Sequence, residues 1–138
     1  MIDETLFVDT NVLVYLFDVD YPQKQAIAET VLREHAHIRL STQVLQEFYV
    51  TVTRKLGHPM PPEQALTAVR HFQTYPVAVV SNDLVIKAIR RSIASQLSYW
   101  DSLIVETALE EGANVLVTEN LHAESKIGSM RVWNPFRA

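Results

Sequence analysis

The stretch Leu6-Phe7-Val8-Asp9-Thr10-Asn11-Val12-Leu13-Val14-Tyr15 constrains this chain most. An apolar run meets a single acid, and a second apolar run begins two residues later. Thr5–Val8 is predicted to be a buried strand, with Asp9 at its carboxyl end and a helix opening at Thr10 or Asn11. Ligands of open α/β sheets bind outside the carboxyl ends of the strands. A glycine-rich turn there would cradle a phosphate; a carboxylate repels one, or holds a cation. Asp is also a favoured helix cap, so at this point a cap alone explains Asp9 equally well.

The 138 residues suit one domain, taken as 1–138. Cysteine is absent, which excludes disulfides, thiolate zinc sites and cysteine nucleophiles. The formal charge of −4 gives no global basic field for nucleic acid, but does not exclude a cation-assisted enzyme. No apolar run approaches the ~18 residues of a membrane span, and no basic leader marks secretion. The expectation is a cytoplasmic protein with no membrane association.

Strand and helix signals alternate along the chain. Val12–Phe17 reads as a short buried helix, and Pro22 opens another that runs to about Glu34. His35-Ala36-His37 breaks the pattern and reads as surface. Ile38–Leu40 is a short strand. Ser41 or Thr42 caps a helix with the stripe Val44, Leu45, Phe48, Val52 and Leu56. Gly57 fits the left-handed residue past its end. A helix from Pro61-Pro62-Glu63 carries Leu66, Val69 and Phe72. Val77–Val80 is a strand, and Ser81 caps a helix carrying Leu84, Ile86, Ala88 and Ile89. Ser98 opens a helix that Gly112 ends. Val115–Val117 is a strand, residues 121–130 show no pattern, and Arg131–Trp133 is a last strand. This order predicts an α/β fold: a central, mostly parallel sheet with helices on both faces. Right-handed crossovers then bring the strand-end turns to one edge.

On that edge fall Asp9, Glu47 about a turn and a half into its helix, and Thr118, Glu119 and Asn120. Asp101 lies in the first turn of its helix, between Ile104, Val105 and Ala108 on the wheel, and leans toward the core. A capping box with Ser98 is the plain alternative for it. Should Asp9, Glu47 and Asp101 converge, like charges at ~4 Å repel by about 4 kcal/mol at an effective dielectric near 20. Protonation or a cation must relieve that. Oxygen-only donors suit Mg²⁺ or Mn²⁺, which serve phosphodiester hydrolysis.

Four short matches, in order and at these separations, resemble the PIN-domain family, and within it the VapC-type toxins of bacterial toxin–antitoxin pairs. They are Phe7-Val8-Asp9-Thr10-Asn11-Val12-Leu13-Val14-Tyr15, Gln46-Glu47-Phe48-Tyr49, Ser98-Tyr99-Trp100-Asp101-Ser102-Leu103-Ile104 and Asn134-Pro135-Phe136. The resemblance implies a single PIN-like domain and a Mg²⁺- or Mn²⁺-dependent endoribonuclease acting as a toxin. It implies an acidic metal site of Asp9, Glu47 and Asp101, with Asn11 and Thr118 in support. An RNA substrate, a cognate antitoxin and a homodimer are implied with it. The family's fourth acid falls on Thr118-Glu119-Asn120, where Asn120 stands in place of an aspartate. Asn120 brings an amide oxygen but no charge, and Glu119 is a further metal donor to consider. This departure supports an alternative: a catalytically weakened PIN-fold module that binds protein. A Rossmann-like nucleotide binder lacks its glycine fingerprint.

Other features carry plainer readings. Arg90 and Arg91, with Lys87, and separately Arg54 with Lys55, are candidate RNA contacts, but a solvated helix face is the simpler expectation for each. Trp100 beside Asp101 has the chemistry to stack a base, although a packed tryptophan is the simpler expectation. Tyr49, Val50, Phe72 and Tyr75 are candidate residues of a protein interface, but most read more simply as core.

Overall fold

The computed structural model describes residues 2–121 and 125–137. Its strands are β1 (Ile2–Val8), β2 (His35–Ser41), β3 (Val77–Ala78), β4 (Val115–Val117), β5 (Lys126–Ile127) and β6 (Met130–Trp133). Its helices are α1 (Thr10–Tyr15), α2 (Pro22–Glu34), α3 (Thr42–Arg54), α4 (Pro62–Phe72), α5 (Asn82–Ala94) and α6 (Tyr99–Glu110). One six-stranded sheet runs in the order β3-β2-β1-β4-β6-β5. All neighbours are parallel except the β5–β6 pair. This is the expected α/β architecture, with the helices surrounding a mostly parallel sheet.

The central strands explain the apolar runs. Leu6, Phe7 and Val8 of β1 and Val115, Leu116 and Val117 of β4 are fully buried. A strand covered on both faces has no polar side to alternate with. β1 and β4 pair at Leu6–Val115 through Val8–Val117, and the Asp9 N–H extends the ladder to the Val117 carbonyl. From β1 the chain moves to β2 on one side, while β4 lies on the other. The topological switch point therefore falls between the carboxyl ends of β1 and β4, where α/β sheets open a crevice.

Local signals fix the helix ends. Ser41, Ser81 and Ser98 each accept a hydrogen bond from an N–H in the first turn, from Val44, Leu84 and Asp101. At the end of α6, Gly112 has φ 71°, and the Gly112 and Ala113 N–H groups reach the Leu109 and Ala108 carbonyls. That is a Schellman turn.

Several expectations are corrected. β2 begins at His35, not Ile38. His35 is buried: its Nδ1–H donates to the Val31 carbonyl at 2.8 Å, and its ring lies against Trp133. A histidine with its donor satisfied and an apolar face covered is a core residue; Ala36 and His37 are exposed as expected. The unpatterned stretch contains β5, a two-residue hairpin arm that turns at Gly128, φ 62°. Such an arm is too short to show a period. β3 stops at Ala78. Gly57 is not left-handed; a Cβ there would collide with the Asp20 carboxylate. Leu66, Ile86 and Ile89 are exposed, and α5 packs on α6 through Leu84 and Ala88 against Leu103. Trp100 is 61% exposed, and Tyr49 and Val50 are also exposed, whereas Phe72 is buried.

Replacing Gly112 by alanine forces an L side chain into the left-handed region, although no atom obstructs its Cβ. Gly112→Ala is expected to lose about 1 kcal/mol, or about 3–4 °C in Tm for a chain of this length. Differential scanning calorimetry checks it, and an unchanged Tm contradicts the Schellman assignment.

Candidate active site

Asp9 ends β1 and occupies the cap of α1, and it is only 3% exposed. One carboxylate oxygen accepts from the Thr10 N–H at 2.7 Å, the other from Thr118 Oγ1 at 2.8 Å. Thr118 directly follows β4, so the two strands beside the switch point are joined just past their tips. The cap reading is therefore true but incomplete. A cap does not require full burial, nor a bond to a second strand.

Burial raises the Asp9 carboxyl from its ordinary 3.8 to about 6. The Thr118 and Thr10 hydrogen bonds oppose this, while the charges of Glu47 and Asp101 add to it. The three acids thus share one electrostatic neighbourhood, although they come from β1, α3 and α6. Their side chains do not close into a compact cluster. Among the described residues, no three Asp, Glu, His or Cys side chains stand ready to hold one ion together.

Each acid is presented differently. Glu47 accepts from Thr10 Oγ1 at 2.8 Å and from Gln43 Nε2 at 3.3 Å. Asp101 is half-buried, neither core nor surface. Only half of the anticipated capping box forms: Ser98 Oγ accepts from the Asp101 N–H at 3.1 Å. The Asp101 carboxylate itself makes no hydrogen bond among the described residues, so it is left for another partner.

The turn after β4 is organised by Thr118 and Asn11. Thr118 Oγ1 accepts from the Asn120 N–H at 3.1 Å and from Asn11 Nδ2 at 3.4 Å. Asn11 Oδ1 in turn accepts from the Glu119 N–H at 3.2 Å. Asn120 is exposed and lines a groove, with Thr10, Asn11, Glu47 and Trp100 along it. Glu119, considered as a further donor, is engaged elsewhere. Its carboxylate takes Lys24 Nζ and the Tyr15 hydroxyl, both at 2.6 Å. Lys24 also lies over the rings of Tyr15, Tyr21 and Phe136. Burial and Glu119 push the Tyr15 hydroxyl up, and Glu119 together with Tyr15 pushes Lys24 up. This polar knot fastens the turn to α1 and α2.

The groove holds about 770 Å³ between α1, α3 and the start of α6. Its walls mix polar groups with Val14, Val50, Val80 and Leu103. Arg90 and Arg91 do not line it. Arg91 is ion-paired to Glu106, and Arg90 is exposed on α5. Sequence reasoning missed Gln43 and Thr10. Gln43 precedes Glu47 by four residues on one helix face, a spacing that was open to inspection.

The donor set fits a hard cation. It offers carboxylate, amide and hydroxyl oxygens with neither thiolate nor a histidine pair, and Mg²⁺ typically takes one or two carboxylates and keeps its waters. A loose acidic group around one buried carboxylate meets that need without a closed cage.

An α/β sheet with an acidic crevice at its switch point defines the class. The chain belongs to the PIN domain family, whose model matches residues 6–125. It is 28% identical to Ribonuclease VapC24 of Mycobacterium tuberculosis, over 94% of this chain and 96% of that protein. A chain of a toxin–antitoxin complex from Klebsiella pneumoniae shares the fold, with TM-score 0.72 and 21% identity over 97% of this chain and 99% of that one. The Sarcin-Ricin loop cleaving toxin VapC20 of Mycobacterium tuberculosis shares it at TM-score 0.65 and 18% identity, over 81% of this chain and 87% of that one.

The raised Asp9 carboxyl has a signed consequence. A carboxyl whose folded value lies above its unfolded one contributes stability below pH 3.8, and loses it as pH rises through about 6. With chelator present, wild type should lose about 2 kcal/mol relative to Asp9→Asn between pH 4 and 7. Urea denaturation across that range measures it. Parallel pH profiles for the two proteins would mean that Asp9 is not held in this state.

Proposed function

We propose that this chain is a divalent-cation-dependent endoribonuclease and the toxin of a toxin–antitoxin pair. The observation that carries the reading is the Asp9 carboxylate, buried at the switch point and facing the charges of Glu47 and Asp101. Full-length similarity to a named ribonuclease of the VapC type supports it. Asp9, Glu47 and Asp101 are the residues that would hold Mg²⁺ or Mn²⁺. When bound, such an ion neutralises a phosphodiester and makes water a better nucleophile.

The rest of the chemistry belongs to the chain's own groups. Thr118 and the Thr10 N–H fix both oxygens of Asp9, so the carboxylate does not turn away as substrate enters. Thr10 Oγ1 sets the rotamer of Glu47. Asn11 holds the 118–120 turn against α1 and brings Asn120 to the groove. A cation held by Asp9, Glu47 and Asp101 would neutralise the acidic floor that RNA phosphates must approach. Asn120 adds no charge, which leaves that floor less negative than a fourth acid would. A protein partner fits the same reading. The antitoxin and a second copy of the chain are the proposed occupants of apolar surface such as Ile86, Ile89 and Ile93, which α5 leaves exposed.

A cleavage assay with single-stranded RNA tests the enzyme. Mg²⁺- or Mn²⁺-dependent cutting is expected, and Asp9→Asn or Asp101→Asn should each reduce it on the order of 100-fold or more. Cutting that is undiminished in both variants would remove these acids from the mechanism. No cutting by wild type at any cation concentration favours the protein-binding alternative.

Asn120→Asp is the complementary change. It should raise the cleavage rate at subsaturating Mn²⁺, and by adding negative charge lower stability in chelator. An unchanged rate would place position 120 outside the cation site.

A further inference from the structure

Trp100 lies in the first turn of α6 and lines the groove, and the chemistry above does not use its ring. The ring is 61% exposed. Its one ring contact among the described residues is Tyr99, at 4.9 Å and an interplanar angle of 77°. Nothing aromatic therefore lies flat on the indole. The backbone beneath it is fixed. Gln43 Nε2 donates to the Trp100 carbonyl at 3.1 Å and to Glu47 Oε2 at 3.3 Å. An open indole is thus tied to one candidate acid and stands one residue before another, Asp101.

The groove beside it follows one stripe of α3: Gln43, Gln46, Glu47, Val50, Thr51 and Lys55. The steps of three and four keep these residues on one helix face. Gln43 and Lys55 lie about 18 Å apart along that face. Lys55 is exposed, makes no ion pair among the described residues, and is the one cation among those lining the groove. Arg54, one residue earlier, does not line it. Val50 is the single apolar member of the stripe. A partner helix laid in a groove wants an apolar floor, so this wall suits an extended polar chain better. One lysine does not hold a phosphate backbone along such a length, and affinity must come from the bases as well. Every base has a face that an open indole can stack. A duplex hides those faces, whereas a single strand presents them.

We propose that Trp100 is the stacking platform for an unpaired base of single-stranded RNA lying along α3, with a phosphate a few nucleotides away on Lys55. This rests on the ribonuclease reading above and names the subsite that grips the strand.

The test titrates the full chain into a fluorescent single-stranded oligoribonucleotide and reads Kd by anisotropy. Ca²⁺ replaces Mg²⁺, and a gel verifies that the RNA stays intact. Trp100→Ala should weaken binding about 5–100-fold, the usual effect of losing one stacking ring, without changing the slope of log affinity against log salt. Trp100→Phe keeps an aromatic face and should stay within about threefold of wild type. Lys55→Ala should make that salt slope shallower by about 0.7, the effect of one phosphate contact on a single strand. Arg54→Ala removes the same charge away from the groove and should change the slope less than half as much. The proposal is overturned if Trp100→Ala binds RNA as wild type does, which would leave the exposed ring to a protein partner. It is also overturned if Trp100→Phe loses as much affinity as Trp100→Ala, or if Arg54→Ala matches Lys55→Ala. Wild type that cuts RNA, with Trp100→Ala cutting equally well at subsaturating RNA, overturns the platform alone. Wild type that binds RNA through Trp100 but cuts none with any cation would instead overturn the nuclease reading and leave the platform standing.

Discussion

The carboxylate of Asp9 is held where β1 and β4 end side by side, shielded from water and facing two other acids. Burial opposes its ionisation, and two short hydrogen bonds partly restore it. The remainder of the site follows from that tension. Thr118 must follow β4 beside it, so the β1–β4 register matters. Asn11 must hold the following turn, because that turn carries Thr118's neighbours. Glu47 and Asp101 are each steadied by groups on other elements or left unpaired, which keeps the edge charged and open.

Charge is managed unevenly around this point. Glu119 is drawn off by Lys24 and Tyr15, and Asn120 is neutral. Asp9, Glu47 and Asp101 share one electrostatic neighbourhood, and of the three Glu47 lines the groove. Three free anions at close range repel one another, and among the described residues these do not close into a cage. Gln43 Nε2 bridges Glu47 and the Trp100 carbonyl, so it holds α3 to the start of α6 without adding charge.

Much of the fold could be read before any coordinates. The apolar runs at Leu6–Val8 and Val115–Val117, serine caps at 41, 81 and 98, and Gly112 all behave as their chemistry dictates. The failures share a cause. Ile86 and Ile89 sit at helical spacing yet face outward, because α5 meets α6 through the smaller Leu84–Ala88 face. His35 is polar by composition, but Val31 and Trp133 make a core position for it. Gly57 is required by the approach of Asp20, which no local signal announces. Periodicity records that a residue is apolar, and only the neighbour decides whether it is covered.

The sequence by itself determined the strand–acid–helix opening, the alternation that yields a parallel sheet, and the identity of the acids that such a sheet would carry to one edge. These are local or periodic properties, and they follow from backbone geometry and water. Tertiary structure alone decided which acids remain available. It tied Glu119 to Lys24, left the Asp101 carboxylate without a hydrogen bond among the described residues, and used Gln43 to join Glu47 to α6. Those outcomes depend on contacts between residues tens of positions apart. Burial and distance set their energies, and neither is written in the order of residues along the chain.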